Sequence, residues 1–288
     1  MAISLWRYEL PLGPVTPPAG ARWLHGVWHA PEGDLQGRQR GDPLLQEAAA
    51  QRLDFVVLVA EGRELAAGES GLRRGLVVIP ATSYALEGGE VVLIGPDAQR
   101  APGERLEDAP RALQARIEGK QVDLGVIARP TAATRGWDLR QLLPSLRHAG
   151  HPRPLDPLPR LGVEILNAGD QHENEYVSLH LPVLWGAWAW LFSERYAILS
   201  FYDRPDEALT LWDAINADRG EVAPGFCAVD ARALLGERDD LALSTFGTWI
   251  PLSAPAPADP RERQRLIEAA LRAGRFYCAV DLLAPAPG

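Results

Sequence analysis

Leu53-Asp54-Phe55-Val56-Val57-Leu58-Val59-Ala60-Glu61-Gly62 is an apolar run closed by a charged residue and a glycine. It shows almost no polar alternation, which is the pattern of a strand with both faces covered, as in a parallel sheet. Similar runs recur outward from it at Gly75–Ile79, Glu90–Ile94, Asp123–Ala128, Gly162–Leu166 and Phe226–Val229. Helical patterns lie between them. Pro43–Arg52 places Leu44, Leu45, Ala48 and Ala49 on one face, with Asp42 as N-cap. Asp108–Ile117 follows similarly, and Pro205–Ala217 carries Ala208, Leu211, Trp212 and Ile215 at helical spacing. Pro260–Ala273 ends at Gly274, a natural C-cap. This repetition of strand and helix predicts a single α/β barrel domain over residues 1–288.

The 288 residues are 47% hydrophobic, ample for a full core. Thirty-eight acidic against 29 basic residues give a net charge of −9, which argues against a nucleic-acid binder. The expected setting is a cytoplasmic bacterial protein with no membrane partner, since no long uncharged apolar run and no signal peptide can be read. Cys227 and Cys278 each sit in an apolar, strand-like run, and buried thiols are expected rather than a disulfide. From Asp170 to Tyr202 the chain is rich in aromatics, among them Trp185, Trp188, Trp190, Phe192 and Tyr196. Leu179–Phe192 reads as a buried helix, and a homodimer interface is the alternative use of such a run.

The strand ends carry a resemblance. Trp23-Leu24-His25-Gly26-Val27-Trp28-His29-Ala30-Pro31 resembles the opening motif of the PHP (polymerase and histidinol phosphatase) superfamily, Gly-Asp-Leu-His-x-His, with His29 on the first ligand and Pro31 on the second. Leu53–Gly62 resembles Leu-Asp-Phe-(apolar)-Thr-Asp-His-Asn, with Ala60 and Glu61 replacing Asp-His. The run from Gly75 to Ser83 resembles the strand ending Pro-Gly-Thr-Glu, with Ser83 for the glutamate, and Glu90 takes a usual His position. Gly125–Pro130 resembles Ala-His-Pro with Arg129 for His, whereas Gly162–Gly169 keeps the (Ile/Val)-Glu-(apolar)-x-Asn-Gly strand with Glu164. Phe226–Arg232 resembles Ser-Asp-Ala-His, with Asp230 kept and Arg232 for His. Ala270–Asp281 is similar to a segment following many such barrels. The resemblance covers about 23–281, leaving 1–22 as an N-terminal extension.

It implies a distorted TIM-like (β/α)7 barrel of a metal-dependent phosphoesterase family, with degenerate metal motifs. Family members use two or three divalent ions to polarise the ester and generate hydroxide. The residual metal-site positions are His29, Glu61, Glu90, Glu164 and Asp230, of which His29 and Asp230 match as metal ligands. Arg129 and Arg232 are positive charges without acceptors; they oppose a cation and suit salt bridges to the leftover carboxylates, or an anionic small molecule. The reading favours a catalytically impaired domain, a pseudoenzyme with no cofactor. The alternative is a phosphoesterase with a reduced site holding one Mn, Zn or Fe.

Other polar residues point less clearly to chemistry. His25 is a candidate stand-in ligand, at an odd strand phase relative to His29. His172, Glu173, Glu175 and His180 lack the His-Glu-x-x-His spacing and read as loop polarity, as His148 and His151 do. Ser70, Ser83 and Ser200 have no nucleophile-elbow context, and Gly88-Gly89 opens no helix as a phosphate-binding loop would.

Overall fold

The Leu53–Gly62 run becomes β2 (Phe55–Glu61), with β1 (Arg22–Pro31) and β4 (Leu76–Leu86) as parallel neighbours. The computed structural model describes residues 22–31, 41–61, 71–86, 89–94, 124–128, 160–167, 188–191, 193, 197, 205–219, 222–229 and 239–281. The other strands are β3 (Gly71–Arg73), β5 (Gly89–Ile94), β6 (Leu124–Ala128), β7 (Arg160–Asn167), β8 (Gly225–Ala228), β9 (Phe246–Leu252) and β10 (Tyr277–Val280). The helices are α1 (Gly41–Ala50), α2 (Asp206–Arg219), α3 (Asp239–Leu243) and α4 (Pro260–Ala273). The order β1-β2-β4-β5-β6-β7-β8, closed by a β8–β1 pairing, makes a seven-strand barrel among the described residues. β9 and β10 extend the sheet beside the first half of β1.

Two features differ from a uniform βα repeat. β5 runs antiparallel to both neighbours, β4 and β6. Only two residues separate β4 from β5, too few for a crossover, so the chain must turn back as a hairpin. The β9–β10 pair is the second departure; β9 lies antiparallel to β1 and β10 antiparallel to β9, outside the ring. The apolar runs read from the sequence all lie on observed strands, and the helix expected at 43–52 begins at Gly41, so Asp42 lies within it. The Asp108–Ile117 helix lies outside the described residues.

The absence of alternation now has its cause. Phe55, Val57 and Val59 join Val77, Ile79, Val92, Val126 and Phe226 in one buried cluster, which Ile267 and Leu271 of α4 share. The intervening Val56, Leu58 and Val78 pack against Leu44, Leu45 and Ala48 of α1. On another wall, Ile127 and Val163 lie under Leu211 of α2. β2, β4 and β6 therefore have apolar neighbours on both faces. The aromatic stretch behaves otherwise: within helical 188–190, Ala189 is buried while Trp188 and Trp190 are exposed, and Leu191 is 78% exposed. A buried helix was the expectation there; only the small residue of this turn faces inward.

Cys227 of β8 and Cys278 of β10 are disulfide-bonded, with Cα atoms 5.8 Å apart, correcting the expectation of free thiols. The sequence hides this pairing because 51 positions separate the two residues, and only the return of β10 beside β8 joins them. Closing a loop of that size restricts the unfolded chain by an amount worth about 4 kcal/mol in the chain-entropy description. Among the described residues no helix is long and apolar enough to cross a membrane.

α4 carries clear signals at both ends. Asp259 accepts a hydrogen bond from Arg261 N at 3.0 Å, Pro260 opens the helix, and Gly274 closes it at φ 66°. Because Ile267, Ala270 and Leu271 bury one face of this helix in the core, its capping bears on the stability of the whole. Asp259→Ala is expected to lower stability by about 1 kcal/mol, read as a reduced midpoint in urea at unchanged slope.

Candidate functional site

In a regular strand, adjacent residues face opposite sides and residues three apart do as well. Two irregularities break that rule at one end of the barrel. The β1–β2 register shifts between Val27 and Ala30, and His29 adopts φ 54°, in the left-handed region. Such a conformation costs a non-glycine residue about 1 kcal/mol and persists only where surrounding contacts enforce it. The β7–β8 register shifts between Glu164 and Leu166. The first bulge lets Trp28 and His29 reach the same point, and the second brings Asn167 to the side of Glu164.

They meet on the carboxylate of Glu164. Trp28 Nε1 donates to Oε1 at 2.8 Å, His29 Nδ1 stands 2.7 Å from the same oxygen, and Asn167 Nδ2 donates to Oε2 at 3.0 Å. The side chains of His29 and Glu164 are fully buried. With Glu164 ionised, His29 Nδ1 carries the hydrogen of that contact, in either a neutral or a protonated ring. A buried carboxylate is expensive to remove from water, and here three nitrogen donors replace its hydration. Trp28 also packs on Phe226 with ring centroids 4.2 Å apart, which fixes the indole that makes the bond.

Of the residues singled out in the sequence, the structure brings His29 and Glu164 together. Glu61 lies at the end of β2, its backbone in register with Ser83, which is buried. Glu90 is half-buried and in register with Ala85 and Ala128, at the same end of the barrel. Arg129, Asp230 and Arg232 lie outside the described residues, as do His148, His151, His172, Glu173, Glu175 and His180. Position 230 follows Val229, whose N–H donates to Trp28 O at 3.1 Å.

His25 is not a stand-in ligand for this cluster. Its Nε2 lies 2.8 Å from Asp281 Oδ2, and its ring stacks on Trp249 at 3.8 Å and 7°. Trp249 Nε1 donates to the other oxygen, Asp281 Oδ1, at 3.1 Å. Gly247 leaves the space for this, because a Cβ there would collide with the Asp281 carboxylate and the Trp249 indole. His25 thus belongs to the β1–β9–β10 flank. Trp28 and Asn167 are site residues with no ligand signal in the sequence. Asn167 lies inside the Gly162–Gly169 strand motif, but Trp28 is adjacent to His29 and only the bulge shows that both serve one carboxylate.

The donor set bears on metal binding. Among the described residues, no three His, Cys, Asp or Glu side chains are grouped to hold an ion. His29 and Glu164 face each other, and the indole and amide N–H groups of Trp28 and Asn167 occupy carboxylate positions that a cation would need. The described residues therefore do not fit a centre of two or three ions.

No protein-family profile matches the chain, and no curated protein matches it. Among solved structures it is similar to a two-domain protein from Bacteroides vulgatus containing a predicted PHP-like metal-dependent phosphoesterase, with a TM-score of 0.46 and 14% identity. The match covers 90% of this chain and 65% of that one, so the chain spans about two thirds of that protein's length.

Trp28→Phe keeps the ring packing and deletes one donor to a buried carboxylate. A loss of about 1–3 kcal/mol in unfolding free energy is expected. Chemical denaturation of the variant beside the parent measures it, and an unchanged midpoint would show that the indole bond contributes nothing.

Proposed function

We propose that this chain is a catalytically impaired PHP-like barrel that binds an anionic ligand at the mouth where family members hold metals. The observation that carries the reading is the engagement of the buried Glu164 carboxylate by three nitrogen donors, two of them groups that never ligate a metal as N–H. A mouth built this way has exchanged coordination bonds for hydrogen bonds. The order of PHP-like motifs along the chain and the closed seven-strand ring agree with such an origin. Arg129 and Arg232, in place of two family histidines, supply the charge for a phosphate or carboxylate, which guanidinium groups grip in bidentate fashion.

A second reading rests on a separate observation. Val229 N–H is bonded to Trp28 O, which puts the backbone just before Asp230 beside the strand that carries His29. His29, Glu164 and Asp230 would then hold one Mn, Zn or Fe ion, with Glu61 or Glu90 completing it, and the chain would be a single-metal phosphoesterase.

The two readings predict different behaviour of purified protein. The binding reading expects less than one transition-metal ion per chain by elemental analysis, and saturable binding of inorganic phosphate by calorimetry. That binding should be lost in Arg129→Ala/Arg232→Ala. Stoichiometric metal, with phosphodiester turnover abolished by Asp230→Ala, would establish the second reading and refute the first.

A further inference from the structure

We propose that the Cys227–Cys278 disulfide is a thiol-responsive clasp that sets how firmly β10 is held to the barrel. β10 is the end strand of the sheet; it has four residues and pairs only with β9 among the described residues. Backbone pairing along one edge of so short a strand gives weak attachment, so side-chain anchors decide its hold.

Side chains anchor both sides of the strand, and Tyr277 at its start also meets the Trp23 ring edge-on at 5.6 Å. Toward the core, Cys278 is bonded to the buried Cys227 of β8, and Val280 packs beside it. Away from the core, Asp281 just past the strand holds His25 Nε2 at 2.8 Å and Trp249 Nε1 at 3.1 Å. Opening the disulfide therefore leaves the outer anchor in place, and β10 loosens while the closed ring of β1, β2 and β4–β8 keeps its pairings. The clasp is also close to the barrel seam. Ala228, next to Cys227, is in register with Trp28 on one side and Asn167 on the other, both donors to Glu164.

The exchange chemistry is balanced. A thiolate of a dithiol reductant attacks Sγ of Cys278, the less buried of the pair, and Cys227 leaves as a thiolate that takes up a proton. The second thiol of the reductant resolves the mixed disulfide. One protein disulfide becomes two thiols and the reductant's two thiols become one disulfide, a transfer of two electrons and two protons. A low-molecular-weight disulfide drives the reverse reaction. Compartments poised at different potentials would hold the chain in different states.

Hydrogen exchange with peptide-level readout tests the clasp on three samples: protein oxidised with glutathione disulfide, the same protein reduced with dithiothreitol, and Cys227→Ser/Cys278→Ser. Peptide mapping without reductant should find residues 227 and 278 linked in the first sample. Amides of 277–280 should exchange at least about tenfold faster in the other two, while β2 and β4 stay protected, faster at most by the global destabilisation that losing the crosslink brings. If the double variant does not fold, the reduced parent carries the test. Three results would overturn the proposal: no linked peptide after oxidation, equal exchange at 277–280 in protein shown by alkylation to be reduced, or loss of protection throughout the barrel on reduction.

Discussion

The buried carboxylate of Glu164 is the constraint around which one seam of the barrel is arranged. β8 has four residues, and it meets β1 through one register pair, Trp28 with Ala228, and the bond from Val229 N to Trp28 O. The backbone ladder at this closure is thin. Side chains reinforce it, because the bonds from Trp28 and His29 to Glu164 run from β1 to β7 across β8. An unpaired buried carboxylate would cost several kcal/mol, so the donors and the carboxylate depend on one another. The two bulges follow from the same demand. Without them, Trp28 and His29 would face opposite sides of β1, and Asn167 would point away from Glu164.

On the adjoining flank the same strand is used differently. The first half of β1 pairs with β9 and carries His25, which is tied to Asp281 and stacked on Trp249. β1 therefore divides between two environments: a dry hydrogen-bonded cluster at one end and a partly exposed aromatic flank at the other. The shift in register between Val27 and Ala30 lies where one gives way to the other. The disulfide then joins β8, a strand of the first environment, to β10 of the second.

Much of this architecture was legible in the sequence. Runs such as 54–59 and 123–128 lack alternation because helices cover one face and the barrel interior the other, and that pattern located β2 and β4–β8 but not β1, β3 or β9. The C-cap of α4 was legible too, since Gly274 acts through local backbone chemistry, whereas the Asp259 N-cap emerged only with the structure. Direction and long-range pairing were less so. The antiparallel course of β5 follows from a two-residue connection whose shortness shows only once both strand ends are fixed. The Cys227–Cys278 pairing depends on the return path of β9 and β10, which no local pattern encodes. At the site, His29 and Glu164 stood out by motif, while Trp28 was hidden by strand parity. A bulge is a decision of tertiary packing, and it changes which neighbours share a face.

The central claim is that three nitrogen donors hold the buried Glu164 carboxylate. The most direct test is a high-resolution crystal structure of protein grown with excess manganese, with anomalous data at a wavelength where manganese scatters strongly. The account predicts an indole N–H from Trp28 and an amide N–H from Asn167 on the Glu164 carboxylate, with no anomalous peak at bonding distance from either oxygen. A manganese peak bonded to Glu164 and His29, with the Trp28 indole displaced, would contradict it.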